Sequence, residues 1–295
     1  VSSEAVYFKG GNHEIFLIHD IRYGLIPFGI AIPNVKSFLE KYDITAGMEL
    51  IWQDHELYFP DAGIDIVLDE KETPASNGCK PDREAVMRKV AGGTEILKKC
   101  GKGIVKEILW KTEAEGFDSI YMKKAFAPLQ KLESGMKNED APEIHAALCA
   151  LVGLGPGLTP SLDDFLTAVI AACKFIERSW KTKIRGTEIL ADQIMQLAQE
   201  RTGEFSAAYL TAAAEGGSFS LIEDLICAED AYESRCERLL AVGGNSGADL
   251  LTGVAWSFQY ILNDSSAVRT FASGESHMAI QIERIDLKQS EMTHV

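Results

Sequence analysis

The chain has 295 residues, 46% of them hydrophobic and 25% charged, and a formal net charge of −15. That length can bury a large core in one extended domain or two smaller ones, and that composition fits a globular protein and argues against intrinsic disorder. The charge argues against nucleic acid or anionic lipid as a partner, since no run of Lys and Arg is long enough to reverse it. A small anionic ligand would need a local nest of donors or a partner's cations.

The first residues, Val1-Ser2-Ser3-Glu4-Ala5, lack the basic-then-apolar pattern of a signal peptide. The apolar run at 146–154 is about half of a membrane span. A cytoplasmic protein with no membrane partner is expected. Cys79, Cys100, Cys149, Cys173, Cys227 and Cys236 contain no Cys-x-x-Cys pair. Several sit in apolar helical contexts, so they read as buried free thiols in a reducing compartment rather than zinc ligands.

Residues 1–75 read as β-rich. Short apolar or β-branched runs at 5–8, 15–18, 25–32, 50–52, 57–59 and 64–68 are separated by Gly, Pro, Asn and Asp. A small barrel or a folded sheet fits this pattern. Pro27 and Pro33 mark the run at 25–32 as an edge strand or a bend. Residues 76–140 form a mixed connecting region. A polar break at 71–82 precedes a helix over 84–99, a return strand is expected near 104–110, residues 118–132 suggest a helix cut by Pro128, and 134–140 reads as a surface linker. From 141 to 295 the pattern is helical, with helices over 143–152, 161–180, 187–201, 204–214, 219–228, 230–242 and 246–262. The helix over 161–180 is apolar on more than one side and is expected to be central. Residues 278–288 suggest a late strand or a tail. The fold class is α+β: a barrel-like or folded-sheet β part, then a mainly helical part.

The most informative segment is Gly153-Leu154-Gly155-Pro156-Gly157-Leu158-Thr159-Pro160-Ser161-Leu162-Asp163-Asp164-Phe165-Leu166-Thr167. Its second half returns 85 residues later as Ser246-Gly247-Ala248-Asp249-Leu250-Leu251-Thr252, after Gly243-Gly244-Asn245. Each copy is a glycine turn opening into a helix, where free N–H groups favour a phosphate or carboxylate. Gly155, Gly157, Thr159, Ser161, Asn245, Ser246 and Gly247 are therefore the candidate anion-binding residues, and Asp163, Asp164 and Asp249 the candidate catalytic carboxylates. Arg22, before Gly24, is a further candidate for an anion contact. Against this stands a plain structural account. Ser161-x-x-Asp164 and Ser246-x-x-Asp249 both fit a capping box, in which the serine accepts the N–H three residues on and the carboxylate reaches back. Asp163 fits no such box.

Several other chemistries are disfavoured. The glycines are not followed by Lys-Ser/Thr, so this is not a P-loop, and the spacing is not that of a dinucleotide fingerprint. His13, His19, His55, His145, His277 and His294 form no His-x-x-x-His pair and lie in no recognised base motif. No metal ligand set is assigned and the cofactor is left open. Asp163 and Asp164 could hold Mg²⁺ through water and a substrate phosphate.

The two motifs together resemble a bacterial family designated domain of unknown function 2877. The shared pattern Gly-Leu-Gly-x-Gly-Leu-Thr-Pro-Ser-x-Asp-Asp-Phe-Leu covers residues 153–166 here. That family includes a subunit of the oxamate carbamoyltransferase of anaerobic allantoin breakdown, a step of purine catabolism. The resemblance implies a multi-subunit enzyme that exchanges a carbamoyl group between oxalurate plus phosphate and oxamate plus carbamoyl phosphate. It also implies other carbamoyltransferase subunits as partners and a small carboxylate or phosphate as ligand. This chain departs from the family pattern at Leu162, usually Gly, and at Gly244-Asn245, where a histidine often stands. The turns themselves carry no guanidinium or ammonium, so Arg22 or a partner is expected to supply one. A non-catalytic assembly subunit and a small-anion binding protein are the alternative functions.

Overall fold

The structure, a computed structural model, describes residues 5–10, 15–53, 56–69, 83–263, 268–270 and 284–285. The expected polar break at 71–82, Cys79 and most of 278–288 lie outside the described residues. The chain divides into two compact units, Val1–Ala75 with Met278–Val295, and Ser76–His277.

In the first unit, β1 (Ala5–Lys9) pairs antiparallel with β2 (Ile15–Asp20), and β3 (Gly29–Ile32) joins β2 in parallel. A second sheet runs in the order β4 (Ile51–Gln53), β5 (Glu56–Phe59), β6 (Ile64–Asp69), β9 (Arg284–Ile285), all antiparallel. Among the described residues the strands thus form open sheets rather than a closed barrel. The period-2 pattern explains them: along β5, Leu57 and Phe59 are buried while Glu56 and Tyr58 face outward. Val6, Ile18, Ile30, Ile32, Leu57, Phe59, Ile64 and Ile66 share one core. Only the second half of the run at 25–32 is a strand, and it is at a sheet edge, as its prolines demand. A helix not expected from the sequence, α1 (Val35–Lys41), packs Val35, Phe38 and Leu39 into the same core. It has only seven residues, too few for a clear helical period.

The second unit is helical: α2 (Arg83–Lys99), α3 (Ile120–Asn138), α4 (Ala141–Leu151), α5 (Ser161–Trp180), α6 (Thr187–Arg201), α7 (Glu204–Ala214), α8 (Ser220–Cys227), α9 (Tyr232–Leu240) and α10 (Ser246–Asn263). A short antiparallel pair, β7 (Thr182–Ile184) with β8 (Val268–Thr270), completes it. Two expectations are corrected. Pro128 does not cut α3, which runs on through the supposed linker at 134–140 to Asn138. Its apolar stripe of Met122, Phe126, Leu129, Leu132 and Met136 is buried on both sides of the proline, and that packing outweighs one lost backbone bond. The expected strand at 104–110 is instead a 3-10 turn over Lys106–Leu109.

Helix α5 is central: every residue from Ser161 to Cys173 is buried. It packs along α10, and the two helices approach closely because Gly253 has no side chain. A Cβ at Gly253 would lie 2.4 Å from the carbonyl oxygen of Phe165. The contact brings the starts of α5 and α10 together.

Candidate functional site

The two helix starts have the same backbone hydrogen bonds. At α5 the N–H groups of Asp163 and Asp164 donate to the Pro160 carbonyl at 2.8 and 3.1 Å, and at α10 those of Ala248 and Asp249 donate to the Asn245 carbonyl at 2.9 and 3.0 Å. The second helical N–H is tied back across each glycine turn, Leu162 to the Leu154 carbonyl and Gly247 to the Val242 carbonyl. Among the described residues, the N–H groups of Ser161 and Ser246 are left as the unpaired donors of these first turns.

The glycines are required by this geometry. Gly155 has φ 141°, and a Cβ there would meet the Ser161 nitrogen at 2.3 Å. A Cβ at Gly247 would meet the Leu239 carbonyl oxygen at 2.0 Å. Gly157 lies at the exposed tip of the first turn.

The capping-box reading is corrected. Both serines are the first helical residues, and the cap positions fall to Pro160 and Asn245, so neither serine accepts an N–H three residues on. Their hydroxyls cross to the other motif instead. Ser246 and Thr159 hydroxyls lie 3.2 Å apart, Thr159 donates to Asp164 Oδ2 at 3.3 Å, and Ser246 also favours the Asp164 carboxylate. The Ser161 hydroxyl is near enough to favour the Asp249 carboxylate, although Asp249 Oδ2 itself has no hydrogen-bond partner. Each serine hydroxyl thus favours the ionised form of the aspartate on the opposite helix.

The three aspartates have different surroundings. Asp163 is buried and takes three donors: the Gly153 N–H at 2.7 Å, the Thr202 hydroxyl at 2.5 Å and the Ser206 hydroxyl at 2.7 Å. Burial raises its pKa, and these three bonds oppose the rise. It fastens the glycine turn to the junction of α6 and α7. Asp249 is fully buried, and its Oδ1 accepts the N–H groups of Ile104 at 2.8 Å and Val105 at 3.1 Å. Those bonds take the N–H groups of Ile104 and Val105, and the N–H groups of Ile108 and Trp110 close local bonds to the Val105 and Glu107 carbonyls, so no strand ladder forms here. The Asn245 side chain accepts the Gly103 N–H at 3.0 Å in the same way.

Burial pushes the Asp164 carboxyl up to about 8, with the Ser246 hydroxyl opposing and the Asp249 charge adding to the rise. Burial pushes Asp249 up to about 6, moderated by the Val105 N–H, the Ser161 hydroxyl and the Ile104 N–H. The pair is therefore unequal, as expected of two buried carboxyls that share a site.

Asp163 and Asp164 turn to different neighbours, Asp163 to Gly153, Thr202 and Ser206 and Asp164 to Thr159. Among the described residues no group of three His, Cys, Asp or Glu side chains is placed to hold a metal ion. Arg22 belongs to the first unit, where its backbone N–H and its Nε both donate to Asp20.

Four contributors escaped the sequence reading. Lys106 donates to the Cys100 carbonyl, and its charge lowers the Asp249 pKa, so the second unit does bring an ammonium to the helix starts. Ile104, Thr202 and Ser206 lie far from the motifs in sequence and carry no local signal of their role. Elsewhere in this unit a cleft of about 360 Å³ lies between α3 and the second half of α10, lined by Phe126, Trp256 and Tyr260 among others; it contains none of the motif residues.

No helix among the described residues is long and apolar enough to cross a membrane. Searches of curated proteins and of solved structures gave no match. The family model described as oxamate carbamoyltransferase subunit AllH matches residues 151–258, about a third of the chain. The matched segment begins at the end of α4 and ends within α10, so it holds both helix starts. Over residues 151–258 the chain is similar to the oxamate carbamoyltransferase subunit AllH family.

Proposed function

We propose that the chain is a subunit of a carbamoyltransferase that exchanges a carbamoyl group between oxalurate plus phosphate and oxamate plus carbamoyl phosphate, with the paired helix starts as its ligand site. The observation that carries this reading is the convergence of two helix N-termini, inside the family-matched segment, on two buried carboxyls of unequal acidity. Such ends favour a carboxylate or phosphate. Transfer to oxamate forms a C–N bond to its amide nitrogen, breaks the C–O bond to phosphate and releases one amide proton. Asp249, with its Oδ2 unpartnered, is the group suited to receive that proton. Asp164 keeps its own proton near neutral pH and is suited to hydrogen-bond the developing oxyanion. Asp163, occupied by three donors, braces the site and takes no part in the chemistry.

The test is a thermal-shift series on the purified chain with oxamate, oxalurate, phosphate and carbamoyl phosphate. A ligand of the folded state raises the Tm by mass action. The expected result is a rise with at least one of the four that is lost in Asp249→Asn. Absence of any rise, together with full turnover of an assembly carrying Asp249→Asn, would overturn the reading. That outcome favours a second reading, a non-catalytic assembly subunit. Its support is that Asp163, Asn245 and Asp249 each hold the backbone N–H of a neighbouring segment.

A further inference from the structure

Outside the helix starts, α4 carries a second arrangement of chemically active side chains. Cys149 and His145 are one turn apart on its outer face, and the Cys149 Sγ lies 3.5 Å from His145 Nε2. The other ring nitrogen, Nδ1, lies 2.6 Å from Oε1 of Gln193 on α6. An amide oxygen only accepts, so this contact places the proton on Nδ1 and leaves the Nε2 lone pair facing the thiol. A nucleophile, a base within reach of it and a third group that orients the base is the general pattern of an activated side chain. Cys149 is half-buried and His145 exposed, so a small reagent can reach the sulfur.

The other described cysteines provide the contrast. Cys173 and Cys236 are buried, and burial pushes their thiols up to about 12 and about 11, far from the reactive thiolate. Cys100 is half-buried like Cys149, but among the described residues no histidine lies in hydrogen-bond contact with it.

We propose that Cys149, with His145 as base and Gln193 as positioning residue, is a nucleophilic thiol site for small electrophiles, hydroperoxides first among them. His145 Nε2 takes the thiol proton, and the sulfur attacks one peroxide oxygen. The S–O bond forms as the O–O bond breaks. The imidazolium returns its proton to the departing oxygen as water or alcohol. Cysteine is oxidised by two electrons to sulfenic acid and the peroxide is reduced by two. The site adjoins the ligand-site scaffold: the Cys149 carbonyl accepts from Arg201, and the next residue, Thr202, donates to Asp163.

The experiment is residue-resolved mass spectrometry of the full chain, first with limiting iodoacetamide, then with hydrogen peroxide followed by a sulfenic-acid trap. Cys149 is expected to react at least about tenfold faster than Cys100, a modest share of the roughly 10²–10⁴-fold that a positioned base contributes in an active site. His145→Ala and Gln193→Ala should each remove most of that advantage. Gln193→Glu, which still accepts from Nδ1–H, should restore it. Circular dichroism checks that the substitutions at exposed His145 and half-buried Gln193 leave the fold intact. Equal labelling of Cys149 and Cys100, or an unchanged Cys149 rate in folded His145→Ala, would overturn the proposal.

Discussion

The starts of α5 and α10 share one backbone and differ in what their side chains brace. At α5 the turn is long, and the extra carboxylate, Asp163, fastens it to Thr202 and Ser206. At α10 the matching position is Ala248 and the turn is short, so Asp249 reaches outward to the N–H groups of Ile104 and Val105. Repetition therefore fixed the helix entry, while the aspartates took up separate tasks. What the copies still share is the crossed exchange of hydroxyls, Ser246 toward Asp164 and Ser161 toward Asp249.

The sharpest way to break this comparison is Asp163→Ala. It leaves the half-buried Gly153 N–H and Thr202 hydroxyl and the buried Ser206 hydroxyl without their acceptor, and should cost about 3–5 kcal/mol in denaturant unfolding. The same change at Asp249 strands two N–H groups and should cost less; equal losses would mean the two carboxylates are not differentiated. Next comes the helix contact itself. Gly253→Ala places a methyl group against the Phe165 carbonyl and should lower stability by about 1–3 kcal/mol, measurable as a drop in Tm.

Asp164 gives a pH-dependent effect of intermediate size. Its folded-state pKa is raised from 3.8 to about 8, so the folded protein keeps a proton that the unfolded chain releases. Stability from this group therefore falls as pH rises from about 4 to about 8. Asp164→Asn removes that fall, and its Tm should exceed the parent's by on the order of 5 °C at pH 8 and by little at pH 4. A parallel pair of Tm-versus-pH curves would refute the buried, protonated assignment. The smallest effect belongs to Ser246→Ala, which removes one partner of Thr159 and Asp164 and should cost about 1 kcal/mol. A double-mutant cycle with Asp164→Asn should show coupling, whereas a capping role for Ser246 would give additive losses.

Most helices of the second unit were legible because apolar periodicity over 10 or more residues is a strong signal. The helix expected over 161–180 is α5, Ser161–Trp180. Short elements were not: α1 is too brief to show a period, and residues 104–110 have strand-like side chains but Ile104 and Val105 give their N–H groups to Asp249, up to 145 positions away. The site was half legible. Glycine spacing and the Ser-x-x-Asp repeat marked both helix starts. Lys106, Thr202 and Ser206 stayed hidden because each acts across the fold, and Thr202 reads locally as nothing more than a helix end.

The sequence alone determined where the turns and helices start, since backbone angles at Gly155 and apolar spacing along α5 act within a few residues. Only tertiary structure decided which serine favours which aspartate, which carboxyl keeps its proton, and that the charge of Lys106 acts on Asp249. Those outcomes depend on burial and on distances between segments up to 145 residues apart, and no local pattern encodes them.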